Sequence, residues 1–159
     1  MPATIAPSPQ SRACGPLRDQ PDGEATIRCR LEHPNASKLG AAFEAFARGD
    51  IAGFRSFFAP AFVWHVSSPK RFAGDRHGWA EFQQYLGLLA RETGGTMRME
   101  PFELFASDAY AVALLRISRT RAGRSLSNFA VQVVRFEDGL IVEAWFLDDV
   151  PYELDELYA

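Results

Sequence analysis

Three side chains have types suited to chemistry: His65 in AFVWHVS (61–67), Gln132 among Val131, Val133 and Val134, and Asp148 at the end of LIVEAWFLD (140–148). An imidazole changes protonation near neutral pH, so His65 can take or give a proton without a large pKa shift. A carboxyl beside an apolar wall has its neutral form favoured, which suits Asp148 to proton donation. An amide offers donor and acceptor together, so Gln132 can orient a ligand. Each has a plainer alternative. His65 can be a packed histidine bonded to backbone, and Asp148 with Asp149 a pair of solvated strand-end carboxylates ahead of Pro151. Gln132 can simply partner a neighbouring side chain.

Other chemistries find little footing. The three histidines, His33, His65 and His77, lie far apart, and neither HxH nor HxxxH occurs, so no metal site is expected. There is no glycine-rich phosphate loop, serine elbow or Cys–His arrangement. Any catalysis is expected to be cofactor-free acid–base work. Net charge is −3 without a basic stripe, which argues against nucleic acid as a partner. The apolar runs are too short for a membrane span. Cys14 and Cys29 imply no disulfide framework, and Met1–Ala13, broken by Pro2, Pro7 and Pro9, lacks the apolar stretch of a signal peptide. The expected location is the cytoplasm.

The elements that must position these residues begin near Asn35. Residues 1–34 hold six of the ten prolines and show no periodicity, so they read as a flexible extension. The domain is 35–159. Asn35 can cap a helix with Leu39, Ala42, Phe43 and Phe46 on its apolar face. Gly49 ends it, and Asp50 caps a second helix that carries Ile51, Phe54, Phe57 and Phe58 and stops at Pro60. After the strand 61–67, a loop with Pro69, Gly74 and Gly78 leads to a third helix, Trp79–Thr93. Strands follow at Met97–Phe105, Tyr110–Arg121, Ser125–Glu137 and Leu140–Asp148. The order α-α-β-α-β-β-β-β describes an α+β domain with helices on one side of a mostly antiparallel sheet.

Several local sequences, in this order, resemble the NTF2-like superfamily and its SnoaL-like polyketide cyclase branch. They are AFARGDIAGFRSFFAP (45–60), VWH (63–65), AGDRHG (73–78), VVRFEDGLIVEAW (133–145) and DELYA (155–159). The resemblance implies a cone, in which a curved sheet wrapped by three N-terminal helices encloses a mostly apolar cavity.

Strand alternation says which residues share a face. If Glu137-Asp138-Gly139 forms a type I turn with a glycine bulge, Phe136 opposes Leu140 and Val134 opposes Val142. One face then carries Gln132, Val134, Phe136, Val142, Ala144, Phe146 and Asp148, and the other Arg135, Glu137, Glu143 and Trp145. A two-residue turn would instead move Glu143 and Trp145 beside Gln132. In 61–67, Val63 and His65 share one face and Phe62, Trp64 and Val66 the other, and alternation alone does not say which looks inward. The resemblance points His65 inward, because isomerases of the superfamily carry their general base at the matching position. It likewise matches Asp148 to the acid proposed for the cyclases.

The expected site is therefore His65 as base and Asp148 as acid, with Val63, Gln132, Val134 and Phe146 around the ligand. Departures from the relatives narrow the chemistry. Ala42 stands where the isomerase has its oxyanion tyrosine and Gln132 where it has a second aspartate, so a dienolate would find little support. Val134 and Phe146 replace cyclase histidines, and Arg135 is assigned outward, away from any epoxide-hydrolase-like Asp–Arg–Asp set. The expected function is binding of a small, apolar carbonyl or polyketide-like molecule, with isomerisation, cyclisation or dehydration as the candidate reaction. The alternative is a noncatalytic binding or dimerisation module. The outer sheet face would suit a homodimer, and Trp64, Trp79 and Trp145 read as packing or subunit contacts.

Overall fold

The computed structural model describes residues 33–159, so the expected extension 1–34 lies almost wholly outside the described residues. Helix α1 (Pro34–Ala47) starts two residues earlier than a cap at Asn35 would give. Pro34 occupies its first turn, where a missing N–H costs nothing, and His33 Nδ1 accepts from the Asn35 amide. Asn35 is freed from capping. Its side-chain amide donates to the carbonyls of Ser107 and Asp108, both at 2.9 Å, which ties α1 to the turn at 107–109.

Asp50 caps α2 (Ile51–Arg55) by accepting from the Gly53 amide at 2.8 Å. That helix is shorter than expected, because the chain enters β1 (Phe58–Val66) already at Phe58. The loop expected after β1 contains a four-residue edge strand, β2 (Gly74–His77), paired antiparallel to it. Four residues rich in charge carry no alternation of their own, so pairing with β1 is what makes them a strand. Gly78 then joins β2 directly to α3 (Gly78–Thr93). Its φ is +70°, and a Cβ there would meet the Pro60 carbonyl oxygen at 3.2 Å.

The remaining strands are β3 (Arg98–Ala106), β4 (Tyr110–Arg121), β5 (Arg124–Glu137) and β6 (Leu140–Asp148). A helix not foreseen, α4 (Pro151–Leu157), closes the described chain. The six strands form one curved, unclosed sheet in the order β2-β1-β6-β5-β4-β3, antiparallel except where β1 lies parallel to β6. Leu39 of α1 and Phe82 of α3 are buried against its concave face, each 1% exposed.

The β5–β6 hairpin corrects the expected register. Asp138 (φ 49°) and Gly139 (φ 78°) form a two-residue turn, with Glu137 opposite Leu140 and Phe136 opposite Ile141. The pairing then slips, and Arg135 faces Glu143, with Val142 as the extra residue of a bulge. That one residue re-phases the strand. Ile141 takes the inward place expected of Val142, while Ala144, Phe146 and Asp148 stay inward and Glu143 and Trp145 stay outward.

Candidate functional site

Ala111, Ala113, Ala130 and Ala144 take inward positions on β4, β5 and β6, each no more than 3% exposed. Bulky rings of α2, α3 and β1 pack above that face. Phe82 lies 4.5 Å from Trp64 and 5.5 Å from Phe62, centroid to centroid. The space left is a cavity of about 920 Å³ walled by Leu39, Phe43, Phe54, Trp64, Phe82 and Phe146 among others. Such a lining, apolar with few polar groups, is typical of a small-molecule site.

Gln132 borders this cavity and is 4% exposed. Its side-chain amide has no hydrogen-bond partner among the described residues. Phe146 borders it too, directly opposite Gln132 in the register. Val134 faces inward at 0% exposure but is packed beneath the cavity and is not part of its lining. Tyr85 and Thr93 of α3 add polar groups to the wall. The Thr93 hydroxyl is spent on the Leu89 carbonyl at 2.8 Å. Burial raises the pKa of the Tyr85 hydroxyl and Asp148 adds to the effect, so it stays protonated, a donor.

His65 is not in the cavity, and the expected inward orientation is corrected. Phe62, Trp64 and Val66 are the buried face of β1, which turns Val63 and His65 to the outer side of the sheet. A parallel neighbour explains this: Trp64 pairs with Ala144, whose missing bulk admits the indole inward, and His65 pairs with Trp145. The imidazole ring stacks on Trp145 (5.4 Å, 19°). Its Nδ1 lies 2.7 Å from Asp75 Oδ1 and its Nε2 3.0 Å from Glu143 Oε1, and since ionised carboxylates only accept, making both bonds requires a proton on each ring nitrogen. Burial opposes its charge, but the carboxylates of Asp75 and Glu143 outweigh that, and the pKa is raised. Its hydrogen bond in turn lowers the pKa of Glu143, helped by Arg135. Arg135 faces outward, bonded to Glu143 and Glu137.

Asp148 does face inward, yet it is neither solvated nor at the cavity wall. Its carboxylate accepts from Asn128 Nδ2 (2.8 Å), Arg119 Nη2 (3.3 Å) and Ser68 Oγ (3.4 Å). Burial raises its pKa, against the pull of Arg119 and Asn128. His65 and Asp148 therefore occupy opposite faces and do not converge. Arg119 and Asn128 were missed, although alternation could have found them. Arg119 continues the inward series Ala111, Ala113, Leu115 and Ile117, and Asn128 the series Phe136, Val134, Gln132 and Ala130.

Among the described residues, no cluster of three or more His, Cys, Asp or Glu is placed to hold a metal ion. No described helix is long and apolar enough to cross a membrane.

Comparison with known proteins fits this architecture. Residues 39–144 match the SnoaL-like domain model. An uncharacterised protein of Mycobacterium tuberculosis is 31% identical over 100 residues, 62% of this chain and 76% of its own. The solved structure of Bal32a, from a soil-derived mobile gene cassette, has a TM-score of 0.75 at 25% identity and covers 79% of this chain and 97% of that one. An NTF2-like protein of unknown function from Burkholderia pseudomallei has a TM-score of 0.73 at 27% identity, covering 80% and 98%.

Proposed function

The chain belongs to the SnoaL-like domain family of NTF2-like fold, and from that premise we propose that its cavity binds a small, largely apolar carbonyl or polyketide-like molecule. The observation that carries the reading is Gln132, a buried amide at an apolar wall with no protein partner. Buried polar groups are ordinarily satisfied, and one facing a cavity is satisfied by what the cavity holds. Proton transfer by His65 and Asp148 loses its support, since one ring is outside and the other group is held by Arg119. Binding is the function the geometry favours. Native mass spectrometry of the protein as expressed, against a panel of aromatic ketones, tests it. Bound ketone that is lost in Gln132→Leu supports the reading, and a cavity that takes none of the panel sinks it.

A separate observation supports association with a second copy. Phe105, Phe129 and Leu147 on the outer sheet face are each about half exposed. Phe129 meets Phe102 edge-on at 5.9 Å, with Arg116 over both rings. Arg135, Glu137 and Glu143 bring both charge signs to this face, as a self-complementary contact needs. We propose a homodimer through it. Sedimentation velocity should show a dimer that Phe129→Asp converts to monomer, and a wild-type monomer at all concentrations would refute it.

A further inference from the structure

The residues bordering the cavity divide by exposure into a closed chamber and a mouth. Gln132, Phe54, Phe82 and Phe146 are buried. The exposed ones come from the turn between α1 and α2 (Gly49, Ile51), one side of α3 (Gln83, Ala90) and the approach to β3 (Gly95, Arg98). On the sheet, α1 rests mainly on β3 and β4 and α3 mainly on β1 and β2, which leaves a slot between the two helices. Apolar side chains border that slot. Ile51 is 42% exposed there, and Met97 and Met99 are half-buried against the core. Arg98 and Glu100 border it as well, but they stand opposite Ser118 and Arg116, on the outer face of the sheet. Arg98 Nη1 is also spent on the carbonyls of Gly95 and Met97, at 2.8 and 2.9 Å. Both charges thus belong to the outer side of the sheet and not to the slot.

We propose, resting on the binding reading above, that the mouth is a second subsite, for an alkyl chain, and that the ligand lies with its carbonyl at Gln132 and its tail leaving past Met99 and Ile51. The register sets the length. Met99 opposes Ile117, and Ile117 opposes Asn128, four residues along β5 from Gln132. Four residues of strand and two strand spacings separate Met99 from Gln132 by about 15 Å. A compact ketone at Gln132 ends inside the chamber, whereas a long-chain one also fills the slot. The polar group lies deep and the rim is apolar, the reverse of a site that keeps a charged head in water. Chain length then selects the ligand, since each methylene buried adds about fourfold in affinity.

The probes are para-methylacetophenone, para-octylacetophenone and dodecanoate, titrated against wild type and Ile51→Ser by the fluorescence of Trp79, which lines the cavity. Ile51 is exposed, so its replacement leaves the core untouched. The octyl ketone is expected to bind wild type at least about a hundredfold more tightly than the methyl ketone, and Ile51→Ser to weaken the octyl ketone alone, by about fivefold. Equal affinities of the two ketones, failure of the octyl ketone alone, or a variant that weakens both or neither overturns the inference while leaving cavity binding intact. Dodecanoate bound as tightly as the octyl ketone overturns the orientation and the inference with it. Failure of both ketones to bind wild type overturns the binding reading as well. If Ile51→Ser does not fold, the ε-methyl resonances of Met97 and Met99 in wild type decide. They must shift with the octyl ketone and not with the methyl ketone, and any other pattern refutes the subsite.

Discussion

Arg119 and Asp148 form an ion pair inside the domain, Nη2 to Oδ1 at 3.3 Å, with each side chain 2% exposed. Two charges at that depth are held by each other, and by Asn128, which bonds to both. Removing one leaves the other buried without compensation. Asp148→Ala is expected to cost about 3–5 kcal/mol, and the double variant Arg119→Met with Asp148→Leu to regain most of it. Urea unfolding of the three proteins measures this, and an Asp148→Ala protein as stable as wild type would show that the pair is not desolvated.

His65 holds β2 and β6 to β1 through two carboxylates. Because its folded-state pKa is raised, its contribution is complete below the unfolded value near 6.5 and is lost as pH rises through the higher folded value. The partly exposed cluster limits the size, so His65→Gln should cost about 1 kcal/mol in mildly acidic buffer. The gap between the two melting curves should narrow in alkaline buffer. A gap that is constant across the range, or that widens, contradicts a protonated His65.

Phe46 and Phe136 should respond differently to truncation. Phe136 is 6% exposed within the core, and Phe136→Ala is expected to cost about 3–5 kcal/mol. Phe46 is only partly buried and borders the cavity, so part of its ring has no packing to lose. Phe46→Ala should cost about 1–2 kcal/mol, nearer the ordinary substitution. Denaturant midpoints compare them, and equal losses would place Phe46 in closed core.

Tyr158 tests whether α4 belongs to the fold. It is 2% exposed and meets Phe72 edge-on at 4.8 Å. Arg121 bonds the Leu157 carbonyl at 2.8 Å and Arg71 the Tyr158 carbonyl at 3.2 Å, which keeps the helix down. Tyr158→Ala should therefore cost about 3–5 kcal/mol, as other large buried rings do. A loss below about 1 kcal/mol would make α4 an appendage.

Much of this protein was legible from its sequence, because periodicity is local. The α1 stripe of Leu39, Ala42 and Phe43, the α3 stripe of Phe82 and Leu89, and the inward series Gln132, Val134, Phe136 each report a face without reference to any other element. Their order and local sequences also sufficed to expect the NTF2-like cone. Tertiary structure decided what alternation leaves symmetrical. A strand with apolar residues on both faces, such as 61–67, is turned by its neighbours, and small Ala144 beside Trp64 turned His65 out. Pairing likewise created β2 from Gly74–His77, and the bulge at Val142 restored faces that the two-residue turn alone would have exchanged. Asp148 and Arg119 are 29 residues apart in sequence and meet only because β4, β5 and β6 lie side by side. Which charges are buried is a property of that packing, not of either strand by itself.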